Sequence, residues 1–150
     1  MIGRSKLPDP LFAKMNDASM IVVEDTLQER VNRIYEEYII EQLAEYQDQA
    51  DTPDAAFEAY AGYLLNSLRG ISKRLGGARY TAMKLLMETA LDEQQQGKPE
   101  LHKEWIAELL SHYYDPMYEY QLEKKQHRIQ FCGSHDEITD WLYQQGFVFV

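Results

Sequence analysis

The chain has a single cysteine, Cys132, so it can form no internal disulfide, and that usage fits a reducing, cytoplasmic setting. No apolar run follows the first basic residues, so a secretory leader is not expected. No apolar stretch reaches the ~20 residues that a bilayer crossing needs, so no membrane span is expected either. There is no internal repeat and no low-complexity segment. No G-x-x-x-x-G-K-[ST] phosphate loop and no G-x-G-x-x-G turn occurs. His102, His112, His127 and His135 include no H-x-x-x-H pair, and Cys132 with His135 would still need two more ligands to hold zinc. The most informative absence concerns charge. No Asp or Glu occurs between Glu58 and Glu88, in a chain whose formal charge is −10.

What is present fits one domain: 150 residues, 45% of them hydrophobic, enough to bury about two-thirds of the unfolded surface. The first fifty residues carry ten acids and five bases, the next fifty seven and six, and the last fifty eight and four. Such an acidic surface repels phosphate as a whole, so any contact with nucleic acid has to be local. The acid-free stretch holds Arg69, Lys73, Arg74, Arg79 and Lys84. Composition alone leaves two readings of it, a solvated helix face and an anion site. Arg69 and Lys73 stand four apart, away from the apolar stripe of a helix running to Leu75. Like charges at that spacing cost a few tenths of a kcal/mol, which a bound anion would offset. Arginine's planar fork suits phosphate oxygens. Arg30 and Lys124, on acid-rich helices, are expected to matter much less for phosphate binding than Arg69 and Lys73.

The element pattern is helix-dominated. "KLPDPLFAKM" reads as a short helix opened by proline, and "SMIVVE" as a short buried strand. "DTLQERVNRIYEEYIIEQLAEY" carries Leu27, Val31, Ile34, Tyr35, Tyr38, Ile39 and Leu43 at helical spacing behind an Asp25 or Thr26 cap. A second helix follows the turn "QADTPD" and runs to Gly76 and Gly77. A third covers about 78–96, a fourth starts at Pro99, and Asp115-Pro116 predicts a restart as a fifth. "RIQFC" alternates like a strand, and "SHDEITDWLYQQG" is a capped helix. Cys132, in the apolar strand, is expected to pack rather than react. Two short strands of buried type ask for neighbours and for cover on both faces, and the strands near Met20–Glu24 and Arg128–Cys132 are expected to lie parallel and adjacent. The expected fold is therefore mainly α with a small parallel β component, an incomplete sheet at the end of an α/β domain. Residues 1–50 and 126–150 would supply the sheet end and 51–125 a helical insert. "YYDPMYEYQ" is expected to fill a helix junction with one ring exposed, and Tyr114 and Tyr118 are the candidates for base stacking.

Five blocks, "MIGRSKLPDPLFAKM", "VVEDTLQERVNRIYEEYI", "YLLNSLRGISKRLGGARY", "HKEWIAELLSHYYDPMYEYQLEKK" and "RIQFCG…DWLYQQG", give the chain a resemblance to the carboxy-terminal part of tRNA 2-selenouridine synthases. "KRLGGARY" and "YYDPMYEYQ" are the most specific. The resemblance implies the end of a P-loop-type α/β domain with a helical insert. It also implies an enzyme that joins such a domain to a rhodanese-like one. That enzyme replaces the sulfur of wobble 2-thiouridine by selenium, with selenophosphate as donor and an S-geranylated intermediate formed from geranyl diphosphate. The rhodanese cysteine and the phosphate loop are absent from this sequence, and Cys132 does not match the family's catalytic cysteine, so no catalytic residue carries over. The expectation is a fragment that binds tRNA or a diphosphate through Arg69, Lys73, Arg74 and Arg79. It would bind no cofactor alone, be inactive alone, and have the missing rhodanese and P-loop part as a partner. A stand-alone helical interaction module and a degenerate remnant without activity are the alternatives.

Overall fold

The computed structural model describes residues 8–147. The Met1–Arg4 block and Lys6–Leu7 of the first expected helix lie outside them. The chain forms two compact units, 1–25 with 119–150 and 26–118.

The first unit contains the sheet. Strand β1 (Met20–Val23) and strand β2 (Ile129–Gly133) pair in parallel, Ile21 opposite Phe131 and Val23 opposite Gly133, with an irregularity between Met20 and Ile21. The two strands expected to be neighbours are therefore neighbours, and the sheet is incomplete, with two strands among the described residues. Helix α1 (Asp9–Asp17) precedes β1 and helix α9 (His135–Gln144) follows β2. Arg128 ties the end of α1 to the strands by donating to the carbonyls of Met15 and Ala18 at 2.5–2.9 Å. The start of α9 is a capping box: Ser134 Oγ accepts from the Glu137 amide, and Glu137 Oε2 accepts from the Ser134 amide at 2.8 Å. A Cβ at Gly133, just before it, would sit 3.0 Å from Glu137 Oε2 and 3.1 Å from the Phe131 ring, so a larger residue there would make those side chains give by a few tenths of an ångström.

Side chains alternate across β2, and Phe131 stacks on Trp141 of α9 with centroids 5.3 Å apart. Ile21, Val23 and Cys132 are exposed. The expectation that Cys132 packs is thus wrong. Period-2 alternation sends it to the face opposite Phe131. No described residue of α1 is buried, and Leu11, Phe12 and Met15 are each about half exposed.

The second unit is all helical: α2 (Leu27–Tyr35), α3 (Gln42–Gln49), α4 (Pro53–Gly70), α5 (Ser72–Leu75), α6 (Gly77–Gln95), α7 (His102–Leu109) and the start of α8 (Asp115–Lys125). Thr26 and Glu29 form the capping box of α2, which selects among the expected cap residues. Thr52 caps α4 with Pro53 behind it. A π-helical segment, Glu36–Glu41, joins α2 to α3. Its cause lies in the core spacing. Val31 and Ile39 are both buried, yet eight residues of uninterrupted α-helix would turn them about 80° apart. One extra residue absorbed in the π segment returns Ile39 to the stripe of Val31. The core joins these two to Tyr60, Leu64 and Leu68 of α4, Met83 and Met87 of α6, and Trp105 and Ile106 of α7.

Two expectations about helix ends are corrected. Asp115 does not cap a new helix. A π segment, Leu110–Tyr114, carries α7 straight into α8, and the Asp115 carboxylate is taken by Arg30. Nor does α4 run to Gly76: it stops at Gly70, and Ile71 leaves helical geometry with φ −105° and ψ 3°.

Candidate functional site

The break at Ile71 decides where the cations of the acid-free stretch lie. Arg69 is in the last turn of α4, and Lys73 and Arg74 are in the short α5. Arg69 and Lys73 are therefore not on one helix, contrary to what their spacing suggests. Both helix ends carry partial negative charge, which favours a cation. Gly76 then takes φ +80°, a conformation that side chains resist, and α6 starts at Gly77. No side chain caps α6, and its first turn holds no acid. Its first backbone bond runs from the Tyr80 amide to the Gly76 carbonyl, so the preceding amides lack helical partners. Arg79 sits in this first turn, where the helix dipole disfavours a cation and favours an anion.

Two of these arginines meet one segment. Arg74 Nη1 donates to the Tyr113 hydroxyl at 3.4 Å, and Arg79 Nη1 to the His112 carbonyl at 3.3 Å, both in the π segment Leu110–Tyr114. Lys84 is paired with Glu88 at 3.1 Å, where the acid-free stretch ends. The Arg69 and Lys73 side chains are exposed and have no hydrogen bond or ion pair among the described residues. Arg69, Lys73, Arg74 and Arg79 thus all belong to one short run around two helix ends and one helix start.

The same unit holds a cavity of about 430 Å³ between α2, α4, α7 and α8. Its floor is made by apolar side chains of α4 and α7, including Leu68 and Trp105. Tyr38, Tyr63, Tyr114 and Tyr118 also line it. Tyr118 is 55% exposed, while burial and the neighbouring phenols of Tyr113, Tyr118 and Tyr38 push the Tyr114 phenol up. Tyr114 and Tyr118 are stacked, with planes 22° apart and centroids at 6.5 Å. Tyr120 is 58% exposed, so two rings of the tyrosine cluster face solvent rather than the one expected. Arg30 also lines the cavity, with both Nη atoms on the Asp115 carboxylate at 2.5 and 2.8 Å. This fork holds the Asp115 carboxyl below its ordinary value. Through this fork Arg30 joins α2 to α8. Sequence reading missed this pair, since 85 residues separate its members.

A second polar arrangement went unnoticed. His102 is fully buried, and its Nδ1 accepts from Trp105 Nε1 at 2.8 Å. The ring proton is therefore on Nε2, which donates to Gln94 Oε1 at 2.8 Å. Burial pushes the imidazole down to about 4. The His-x-x-Trp spacing at the start of α7 was the available signal. No cluster of three or more metal-ligating side chains occurs among the described residues, and none of their helices is long and apolar enough to cross a membrane.

Comparison with known proteins identifies the family. Residues 1–147 match the family model described as the tRNA 2-selenouridine synthase AAA domain. A tRNA 2-selenouridine synthase of Shewanella loihica is 43% identical over 143 residues, which cover 95% of this chain and 38% of that protein. One from Pseudomonas fluorescens is 44% identical over 147 residues, covering 97% and 40%. One from Bordetella petrii is 42% identical over 142 residues, covering 94% and 38%. No solved structure matches. The chain spans about two-fifths of the length of these relatives, and it belongs to the tRNA 2-selenouridine synthase AAA domain family.

Proposed function

We propose that this chain is the tRNA-binding part of a tRNA 2-selenouridine synthase. It holds the RNA backbone while the exchange of sulfur for selenium in wobble 2-thiouridine is carried out elsewhere in the enzyme. Arg69, Lys73, Arg74 and Arg79 are the phosphate contacts. The observation that carries the reading is the pair of exposed cations Arg69 and Lys73, whose side chains have no partner among the described residues, in an acid-free run beside the uncapped start of α6. In a chain of net charge −10, any carboxylate in that run would repel the ligand. Selenophosphate and geranyl diphosphate, which the family resemblance implies, belong to steps this chain does not perform alone, and the enzyme works in the cytoplasm. The rhodanese-like and P-loop part that the family resemblance implies is the partner of this chain. Purified alone, the chain should leave 2-thiouridine tRNA unconverted. Turnover that is lost on Cys132→Ser would refute this assignment.

The test of binding is the salt dependence of tRNA affinity. Each lost phosphate contact should flatten log affinity against log salt by about 0.7–0.9. Arg69→Ala and Lys73→Ala should each do so, and Lys124→Ala should not. Unlabelled geranyl diphosphate that displaces tRNA from the wild-type chain would reassign the cations to a diphosphate.

A further inference from the structure

We propose that the tyrosine-lined cavity of the helical unit receives one unpaired nucleobase. The proposal rests on the tRNA-binding reading above and adds a base-dependent subsite to a backbone-dependent one. A cavity of about 430 Å³ lies within the range of small-ligand sites, which pair an apolar lining with a few polar groups. Tyr38, Tyr63 and Tyr118 are 43%, 37% and 55% exposed, a large aromatic area to leave in water without a ligand. Base–aromatic stacking needs ring faces that are reachable yet held in place. Tyr118 meets that need, since it is exposed and fixed against Tyr114 one helical turn away.

The lining also explains why a base fits better than an alkyl chain. Phenol hydroxyls, Ser67 and the Glu37 carboxylate at the exposed edge of the lining offer hydrogen bonds that an alkyl chain cannot use. A base offers both donors and acceptors to such groups. The bidentate bond to Asp115 locks the Arg30 guanidinium, giving the cavity a fixed planar polar wall before any ligand arrives. Ser67 lines the cavity two residues before Arg69 in α4.

The experiment compares two probes of equal charge, a short oligouridylate and the same ribose-phosphate chain made abasic, at several salt concentrations. The wild-type chain should bind the base-bearing probe about ten-fold more tightly, with the same salt slope for both. Tyr118→Ala and Tyr38→Ala should each erase most of that preference without changing the slope, and Tyr118→Phe should keep it. Tyr120→Ala, an exposed ring that does not line the cavity, should leave it intact. Both alanine variants truncate exposed rings, so thermal melts should stay close to wild type. Equal affinity for the two probes would overturn the proposal, as would a Tyr118→Ala preference within two-fold of wild type. Displacement of the oligouridylate by decanol, with the abasic probe unaffected, would assign the cavity to an apolar chain and overturn it too. These failures leave the backbone reading standing wherever Arg69→Ala still flattens the salt slope. Absence of salt-dependent binding by either probe would remove both.

Discussion

Acidification should destabilise the helical unit through one side chain, His102. Its imidazole is fully buried, and both ring nitrogens are satisfied only in the neutral Nε2–H form, with Trp105 donating to Nδ1 and Gln94 accepting from Nε2. A proton on Nδ1 would face the Trp105 N–H, donor against donor, in a water-free site. The imidazole accordingly titrates at about 4 when folded, against 6.5 without burial. Between those values the unfolded chain takes up a proton that the folded chain refuses. Stability is unaffected above about pH 6.5, falls as pH drops through the window, and reaches the full penalty below about pH 4. The gap corresponds to about 3 kcal/mol at ~1.36 kcal/mol per unit. Urea melts of the wild type and His102→Gln, at pH values from 7.5 to 4, isolate the effect. Glutamine supplies an acceptor and a donor but does not titrate in this range. The wild type should lose about 3 kcal/mol more than the variant across the window, and the Trp105 environment should change in the same transition. Parallel pH profiles for the two proteins would refute the reasoning, as would an NMR titration of His102 near 6.5.

The Arg30–Asp115 fork should show a coupling of about 1–2 kcal/mol in a double-mutant cycle of Arg30→Ala and Asp115→Ala followed by urea melts. Since Asp115 is held below its ordinary value, that coupling should be present at neutral pH and fade as acid protonates the carboxylate; a coupling unchanged down to pH 2 would contradict the geometry. Cys132 should react with a thiol reagent in the folded chain at a rate near that of an exposed model thiol, because its side chain is exposed. Cys132→Ser should change stability by less than about 0.5 kcal/mol, and slow labelling with a large loss of stability would restore the packing role.

Local chemistry was legible in the sequence wherever it acts within a few residues. The Thr26–Glu29 and Ser134–Glu137 boxes follow from spacing, and so do the glycine stops at Gly76, Gly97 and Gly146, each at positive φ. The pairing of β1 with β2 was also legible, because two short runs of buried type in a mostly helical chain have few other neighbours to choose. The break at Ile71 was not. The stripe of Leu64, Leu68, Ile71 and Leu75 continues at helical spacing through it, and only tertiary packing distinguishes a helix from two helices that share a stripe. The π segments were hidden for a similar reason, since Val31 and Ile39 reveal an extra residue only once both are known to be buried. Period 2 put Cys132 on one face of its strand, but nothing in the sequence said which face lacks cover. Among the site residues, clustering of the basic run could be read directly. The cavity could not, since Tyr38, Tyr63 and Tyr118 come from three helices.

The central claim, that the acid-free run of this acidic chain faces RNA phosphate, is tested most directly by tRNA affinity at several salt concentrations for the wild type, Arg69→Ala, Lys73→Ala and Lys124→Ala. The account predicts a steep wild-type slope that each of the first two variants reduces by about 0.7–0.9, with the wild-type slope kept by Lys124→Ala and melting temperatures unchanged throughout. Equal slopes and affinities for all four proteins would contradict it and return the run to a solvated helix face.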